Sequence, residues 1–241
     1  MKNTGILRIQ AFGARQSSPI EGVLVTVSGN GFTAQRITDE TGTAADLSIE
    51  APSCALSLQE DNTIRPYAVV DLTAAKAGFR TVRIQGVQIF AGQVTLAQPE
   101  MIPETEEDRD VVNPPIVIPE HSLFTGDGGS GPDPMENCVP RVLDRVIIPK
   151  NITVHLGKPA ASARNVTVSF RDYIANVASS EVYPTWPEQA LRANIHCQIS
   201  LALNRIYTEW YPSKGYTFNI TNSTSYDQYY VHGRTVFDVM V

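Results

Sequence analysis

A stretch in the middle of the chain, residues 103–138, carries nine acidic side chains and one basic one. It holds Glu104-Thr105-Glu106-Glu107-Asp108, the pair Pro114-Pro115, and Gly126-Asp127-Gly128-Gly129-Ser130-Gly131-Pro132. Like charges repel, proline removes a backbone donor, and glycine is costly to order, so this mixture disfavours both a helix and a strand ladder. It predicts a linker that divides the 241 residues into a first domain over 1–102 and a second over 139–241. The flanking parts carry net charges of -1 and +3, so the overall -6 resides in the linker. That distribution argues against nucleic acid as a partner. A short apolar island inside the linker, Ile116-Val117-Ile118, is a candidate to pin part of it to a neighbour.

No apolar run reaches the roughly 18 residues that a membrane-spanning helix needs, so no membrane partner is expected. The opening Met1-Lys2-Asn3-Thr4-Gly5 passes into strand-like alternation without a signal-peptide apolar core, which predicts synthesis in the cytoplasm. Cys54, Cys138 and Cys197 are odd in number and far apart, and His196 and His232 lack ligand spacing. Neither a disulfide framework nor a metal site follows from them, and no cofactor is expected.

In the first domain, alternation marks strands at residues 5–12, 23–27, 32–37, 55–58, 67–72, 80–84 and 93–97, with turns between. Such spacing without a helical period predicts an all-β two-sheet antiparallel sandwich. The run PIEGVLVTVSGNGFTAQRITDETGTAADLSI resembles the carboxypeptidase regulatory-like, or transthyretin-like, sandwich. No cluster of His, Cys or carboxylates accompanies it, so a structural, pairing or inhibitory role is expected.

The second domain reads as α+β with a long central helix. Residues 145–155 and 165–170 alternate as strands, after which 171–182 switch to helical spacing. Ile174, Val177 and Ala178 share one stripe and Glu181 falls on it at i+7, so an acid lies among core-facing residues. Pro184 and Pro187 break the chain, with Thr185 or Trp186 at an N-cap and Pro187 in the first turn of a helix over 187–210. Its expected stripe is Leu191, Ile195, Ile199, Ala202 and Ile206, widened by Leu203, Tyr207 and Trp210, and Gly215 is expected to end it.

The segment DYIANVASSEVYPTWPEQALRANIHCQISLALNRIYTEWY resembles the catalytic core of clostridial spore cortex-lytic enzymes, itself similar to the stage II sporulation protein D family of peptidoglycan lytic transglycosylases. The matching features are a helix ending in Glu181, a break at Pro184, and the helix start Ala190-Leu191-Arg192-Ala193-Asn194. The later run FNITNSTSYDQYYVHGRTVF is similar to the family's Asp-Ser-Thr and Asp-Gln region, and VVDLTAAKAGFRTVRIQGVQIFAGQ to the pro-region of the cortex-lytic enzymes. The resemblance implies a spore proenzyme that degrades cortex peptidoglycan in germination after a serine protease cuts the linker. Relatives with zinc carry Cys and His near the Asp-Ser-Thr segment; here Thr221-Asn222-Ser223-Thr224 has none, so that metal is not carried over. The family's catalytic domain runs further, through a Ser-Gln-Trp-Gly type motif, so the second domain is expected to be incomplete at its C-terminus.

Lytic cleavage of a MurNAc–GlcNAc bond needs one carboxylic acid that serves in turn as acid and base, and a desolvated Glu181 suits that task. A hydrolase would need a second carboxylate, for which Asp227 is the candidate. The competing reading has Glu181 turning to water or pairing with Arg192. The aromatic residues concentrate after residue 150, and Tyr183, Trp186 and Tyr226 are candidates to stack on sugar, with Tyr229 and Tyr230 beside them. Asn194, Ser223, Thr224, Asp227 and Gln228 complete the expected substrate-binding set, with glycan strands as the partner. The rival reading is a non-enzymatic wall-binding or regulatory relative.

Overall fold

The computed structural model describes residues 3–13, 18–59, 62–105, 113–121, 123 and 147–241. Most of the expected linker, and the first two residues of the strand expected from Arg145, lie outside them. The chain forms two compact units. Unit 1 comprises Met1–Glu120, Tyr183–Thr185 and Gly233–Val239, and unit 2 comprises His121–Val182, Trp186–His232 and Met240–Val241. The expected first domain ended at residue 102, whereas unit 1 recruits two short pieces from much later in the chain.

Unit 1 is a β-sandwich. Its strands are β1 (Thr4–Gln10), β2 (Leu24–Gly29), β3 (Phe32–Ile37), β4 (Thr43–Glu50), β5 (Ala68–Ala75), β6 (Val82–Ile89), β7 (Val94–Ala97), β8 (Ile116–Val117) and β12 (Val236–Phe237). One sheet has the order β12-β7-β1-β4 and the other β3-β2-β5-β6-β8. Inward side chains from both, among them Leu7, Ile9, Val25, Leu47, Leu72, Ile84 and Ile89, form one buried cluster, so the sheets pack face to face. Neither sheet is purely antiparallel: β1 pairs parallel with β7, and β6 parallel with β8. The expected apolar island is β8, and its neighbour Ile118 enters the core.

The β2–β3 hairpin turns on Asn30 and Gly31, both with positive φ, which is the two-residue turn whose twist matches the strands. Strand β4 escaped the sequence reading for a physical reason. Leu7 pairs with Leu47 and Ile9 with Ala44, so one extra residue of β4 bulges and its buried positions break alternation. The strand expected at 55–58 is a 3₁₀ turn, Cys54–Leu58. Ser53 Oγ accepts from the Ala55 N–H, and Ser57 Oγ donates to the Cys54 carbonyl at 2.6 Å, so local side-chain bonds replace a ladder.

Unit 2 contains β9 (Asn151–His155), β10 (Asn165–Ser169), α1 (Phe170–Glu181), α2 (Glu188–Tyr207) and β11 (Ile220–Thr221). The sheet order is β10-β9-β11, with β10 antiparallel and β11 parallel to β9. Ser169 caps α1 by accepting from the Asp172 N–H at 3.0 Å. Past its first turn α1 is buried nearly all round, which is why its apolar stripe is bordered by small residues such as Ala175, Ser179 and Ser180. Val182 takes extended backbone as C-cap and Pro184 follows, so the helix cannot continue.

Helix α2 starts one residue later than expected. Pro187 itself is the N-cap, and its carbonyl accepts from the Ala190 and Leu191 N–H groups. The fully buried line is Leu191, Gln198, Ala202 and Arg205; Ile195, Ile199, Leu203 and Ile206 flank it. The helix ends at Tyr207, before Trp210 and Gly215. Glu209 adopts φ 49°, and the N–H groups of Glu209 and Trp210 bond the Ile206 and Arg205 carbonyls. This is a Schellman closure with glutamate where glycine is usual. Gly215 ends the following 3₁₀ turn, Pro212–Lys214.

Candidate functional site

Glu181 is the last residue of α1 and is half-buried. Its Oε1 accepts from the Tyr229 N–H at 2.9 Å and its Oε2 from Gln198 Nε2 at 2.8 Å. Burial pushes its pKa up, and the two donors oppose that rise without cancelling it. Arg192, the expected alternative partner, pairs instead with Glu188 at 2.7 Å, and among the described residues no cation pairs with Glu181.

Each donor is itself held. Asn176 of α1 grips Val231 with both ends of its amide, Nδ2 donating to the carbonyl at 2.8 Å and Oδ1 accepting from the N–H at 3.0 Å. That clamp fixes the segment carrying Tyr229. Gln228 Nε2 donates to the Gln198 carbonyl at 3.1 Å, and Gln228 Oε1 accepts from the Tyr173 hydroxyl at 3.0 Å. Burial raises the Tyr173 hydroxyl well above its ordinary range, so it acts as a neutral donor. The carboxyl thus sits at the meeting point of α1, α2 and residues 226–232.

The structure sorts the other expected site residues. Gln228 joins the Glu181 network through Gln198. Asp227 is buried and accepts from Arg205 Nε, the Tyr211 hydroxyl, the Thr221 N–H and the Thr221 hydroxyl, which makes it a structural counter-ion. Ser223 accepts from the N–H groups of Tyr226 and Asp227, and exposed Thr224 and Tyr226 lie on the turn so formed. Trp186 is half-buried just before α2. Asn194 donates to the Ala190 carbonyl of its own helix at 3.0 Å, and the amide that reaches Glu181 is Gln198, one turn later. Tyr183 belongs to unit 1, where it is buried against Phe90 at 5.5 Å between ring centroids. A ring so packed is core and not a platform for sugar, which corrects the expectation drawn from the concentration of aromatic residues after residue 150.

The sequence reading missed Asn176, Gln198 and the Tyr229 N–H. Only one signal was present: Gln198 falls seven residues from both Leu191 and Arg205, on the line that α2 buries. A recess of about 310 Å³ opens elsewhere in unit 2, bordered by His155, Asn165, Tyr216 and Phe218 and not by Glu181. Both His155 ring nitrogens are engaged, with Asn165 Oδ1 at 2.7 Å and the Lys158 carbonyl at 3.1 Å, and its face stacks on Phe218. Its polar capacity is spent on packing. Among the described residues, no group of three or more His, Cys, Asp or Glu is placed to hold a metal ion. No helix among them is long and apolar enough to cross a membrane.

No family model matches the chain, and neither does any curated protein. Solved structures with similarity include the Bacillus anthracis TIE protein, at 14% identity and TM-score 0.30, over 42% of this chain and 17% of that one. The 5-hydroxyisourate hydrolase of Klebsiella pneumoniae is 21% identical with TM-score 0.28, over 42% of this chain and 92% of that one. Catechol 1,2-dioxygenase from Acinetobacter sp. ADP1 is 15% identical with TM-score 0.30, over 48% of this chain and 59% of that one. Values this low assign the chain neither a fold family nor an activity.

Proposed function

We propose that the protein cleaves peptidoglycan glycan strands as a lytic transglycosylase, with Glu181 as its single acid–base group. The observation that carries this reading is a half-buried carboxyl with a raised pKa, held by two fixed donors and, among the described residues, by no cation. Such a group keeps its proton further toward neutral pH than an exposed glutamate, as the acid role requires. The likeness of residues 172–211 to cortex-lytic enzymes supplies the substrate class.

In the first half of the reaction Glu181 gives its proton to the glycosidic oxygen as the bond to muramoyl C1 breaks. In the second, the carboxylate takes the proton of the muramoyl C6 hydroxyl while its oxygen bonds C1. The products are a 1,6-anhydro end and a new GlcNAc hydroxyl, and Glu181 regains its proton without consuming water. Asp227 supports one carboxylate over two, because four donors already occupy its oxygens. On the same reading unit 1 is a transthyretin-like accessory or pro-region, the linker is the target of an activating serine protease, and the spore cortex is the place of action.

The test is digestion of purified peptidoglycan by the full chain, intact and cut at the linker, with the ends read by mass spectrometry. Anhydro-muramoyl ends are expected. Glu181→Gln should lower their rate by about 10² to 10⁴ while the variant still sediments with cell walls. Reducing ends would replace the lytic assignment with hydrolysis. Wall binding without any cleavage would establish the non-enzymatic rival.

A further inference from the structure

We infer that Gln198 is a positioning residue whose amide turns over with the proton of Glu181, offering Nε2 to the carboxylate and Oε1 to the carboxylic acid. The inference takes from the proposed function only the idea that Glu181 changes charge in use; its geometry stands apart from that reading.

Two donors reach Glu181, and they differ in kind. The Tyr229 N–H can only donate, so Oε1 must remain an acceptor in both charge states. The proton of the acid form therefore belongs on Oε2, the oxygen facing Gln198. In the present orientation that proton would point at an N–H, and two donors would face each other. A half-turn of the amide replaces the donor with an acceptor of nearly the same shape at the same place. The half-turn breaks no other bond, since Gln198 Oε1 is buried and has no hydrogen-bond partner among the described residues. The main chain need not move: the Gln198 carbonyl is held by Gln228 and the residue lies inside α2.

The charged and titratable groups on the packed elements leave this exchange undisturbed. From α1 comes Tyr173, bonded to Gln228, and from α2 comes Arg205, bonded to Asp227. The returning segment brings Asp227 itself, Tyr229 through its backbone, and Tyr230, which bonds His232. None of these side chains bonds Glu181, so among the described residues the neutral amide is the one side chain that can follow its proton. An amide locked to a third group could not turn, and an orphaned Oε1 would then be only a cost.

The measurement is an NMR titration of the full chain, following the Glu181 side-chain carboxyl carbon and the Gln198 side-chain NH₂ together. Both should move with one midpoint. Gln198→Met, which keeps an unbranched side chain, should shift the Glu181 midpoint to higher pH, because a bond to the charged form is stronger than one to the neutral form. Gln198→Glu should shift it further in the same direction. A Gln198 NH₂ signal that stays flat through the Glu181 midpoint overturns the inference, as does an unchanged midpoint in Gln198→Met. Should Gln198→Met fail to fold, the wild-type titration decides alone. Coupled midpoints in a protein that releases no anhydro ends would sink the proposed function and leave this inference standing.

Discussion

Arg205 Nε and Asp227 Oδ1 meet at 2.7 Å inside unit 2, with 3% and 0% of their side chains exposed. The guanidinium also donates to the Tyr226 carbonyl at 3.0 Å and lies 4.5 Å from the Trp210 ring centre. Asp227 Oδ2 takes three further donors, and burial together with this bond drives the Tyr211 hydroxyl far above its ordinary range. Asp227→Asn would turn an NH₂ toward donors and strand the arginine. Breaking a buried pair in this way costs about 3 to 5 kcal/mol. The expected result is a large fall in urea midpoint and, on the proposed function, anhydro ends still formed by whatever fraction stays folded. An Asn variant as stable as wild type but inactive would give Asp227 a chemical role.

Glu181 imposes a pH dependence opposite to that of most carboxylates. Its folded pKa lies above the ordinary value of 4.5 because burial disfavours the charge. The stability linked to it is therefore whole below pH 4.5 and is lost as the pH rises through the folded value. Glu181→Gln cannot ionise and escapes that loss. Melting curves should show the variant gaining on wild type as the pH rises above 4.5 and level with it below. A constant gap across the range would mean that Glu181 is not desolvated in solution.

Glu209 holds a left-handed backbone, φ 49°, at the close of α2, and its side chain is exposed. An L-residue there costs roughly 1 to 2 kcal/mol that glycine avoids, less the entropy glycine loses on folding. Glu209→Gly should stabilise by about 1 kcal/mol, or roughly 2 to 4 °C in Tm for a chain of this size. A lower Tm would show that the Schellman closure is not the ending of α2 in solution.

What could be read beforehand depended on whether burial follows period. Strands β1, β2 and β5 alternate and are legible by period, while the β4 bulge hides Ala44, Leu47 and Ile49 from any search by twos. The end of α2 was misplaced because nothing local marks Glu209; only its bonds to the last turn do. Glu181 was legible from its stripe. Gln198 and Asn176 were not, since an amide on a helix earns burial only from residues 226–232, which arrive some thirty positions or more later in the chain. Tyr183 shows the opposite error: a concentration of aromatic residues says nothing about which of them a core takes.

Strand β12 is contributed by residues 236–237, and it pairs with β7 while Phe237, fully buried, meets Phe90 edge-on. Cutting the chain and parting it are thereby made different events. A nick between residues 103 and 138 leaves two polypeptides that share one sheet, the later one supplying β12 beside β7, in the manner of donor-strand complementation. Hydrolysis of a peptide bond there changes connectivity at once and composition only later, when the ladder at Thr95 and Leu96 melts. The nicked molecule would migrate as two chains in denaturant and as one particle in buffer, with its lifetime as a pair set by the sandwich and not by the protease.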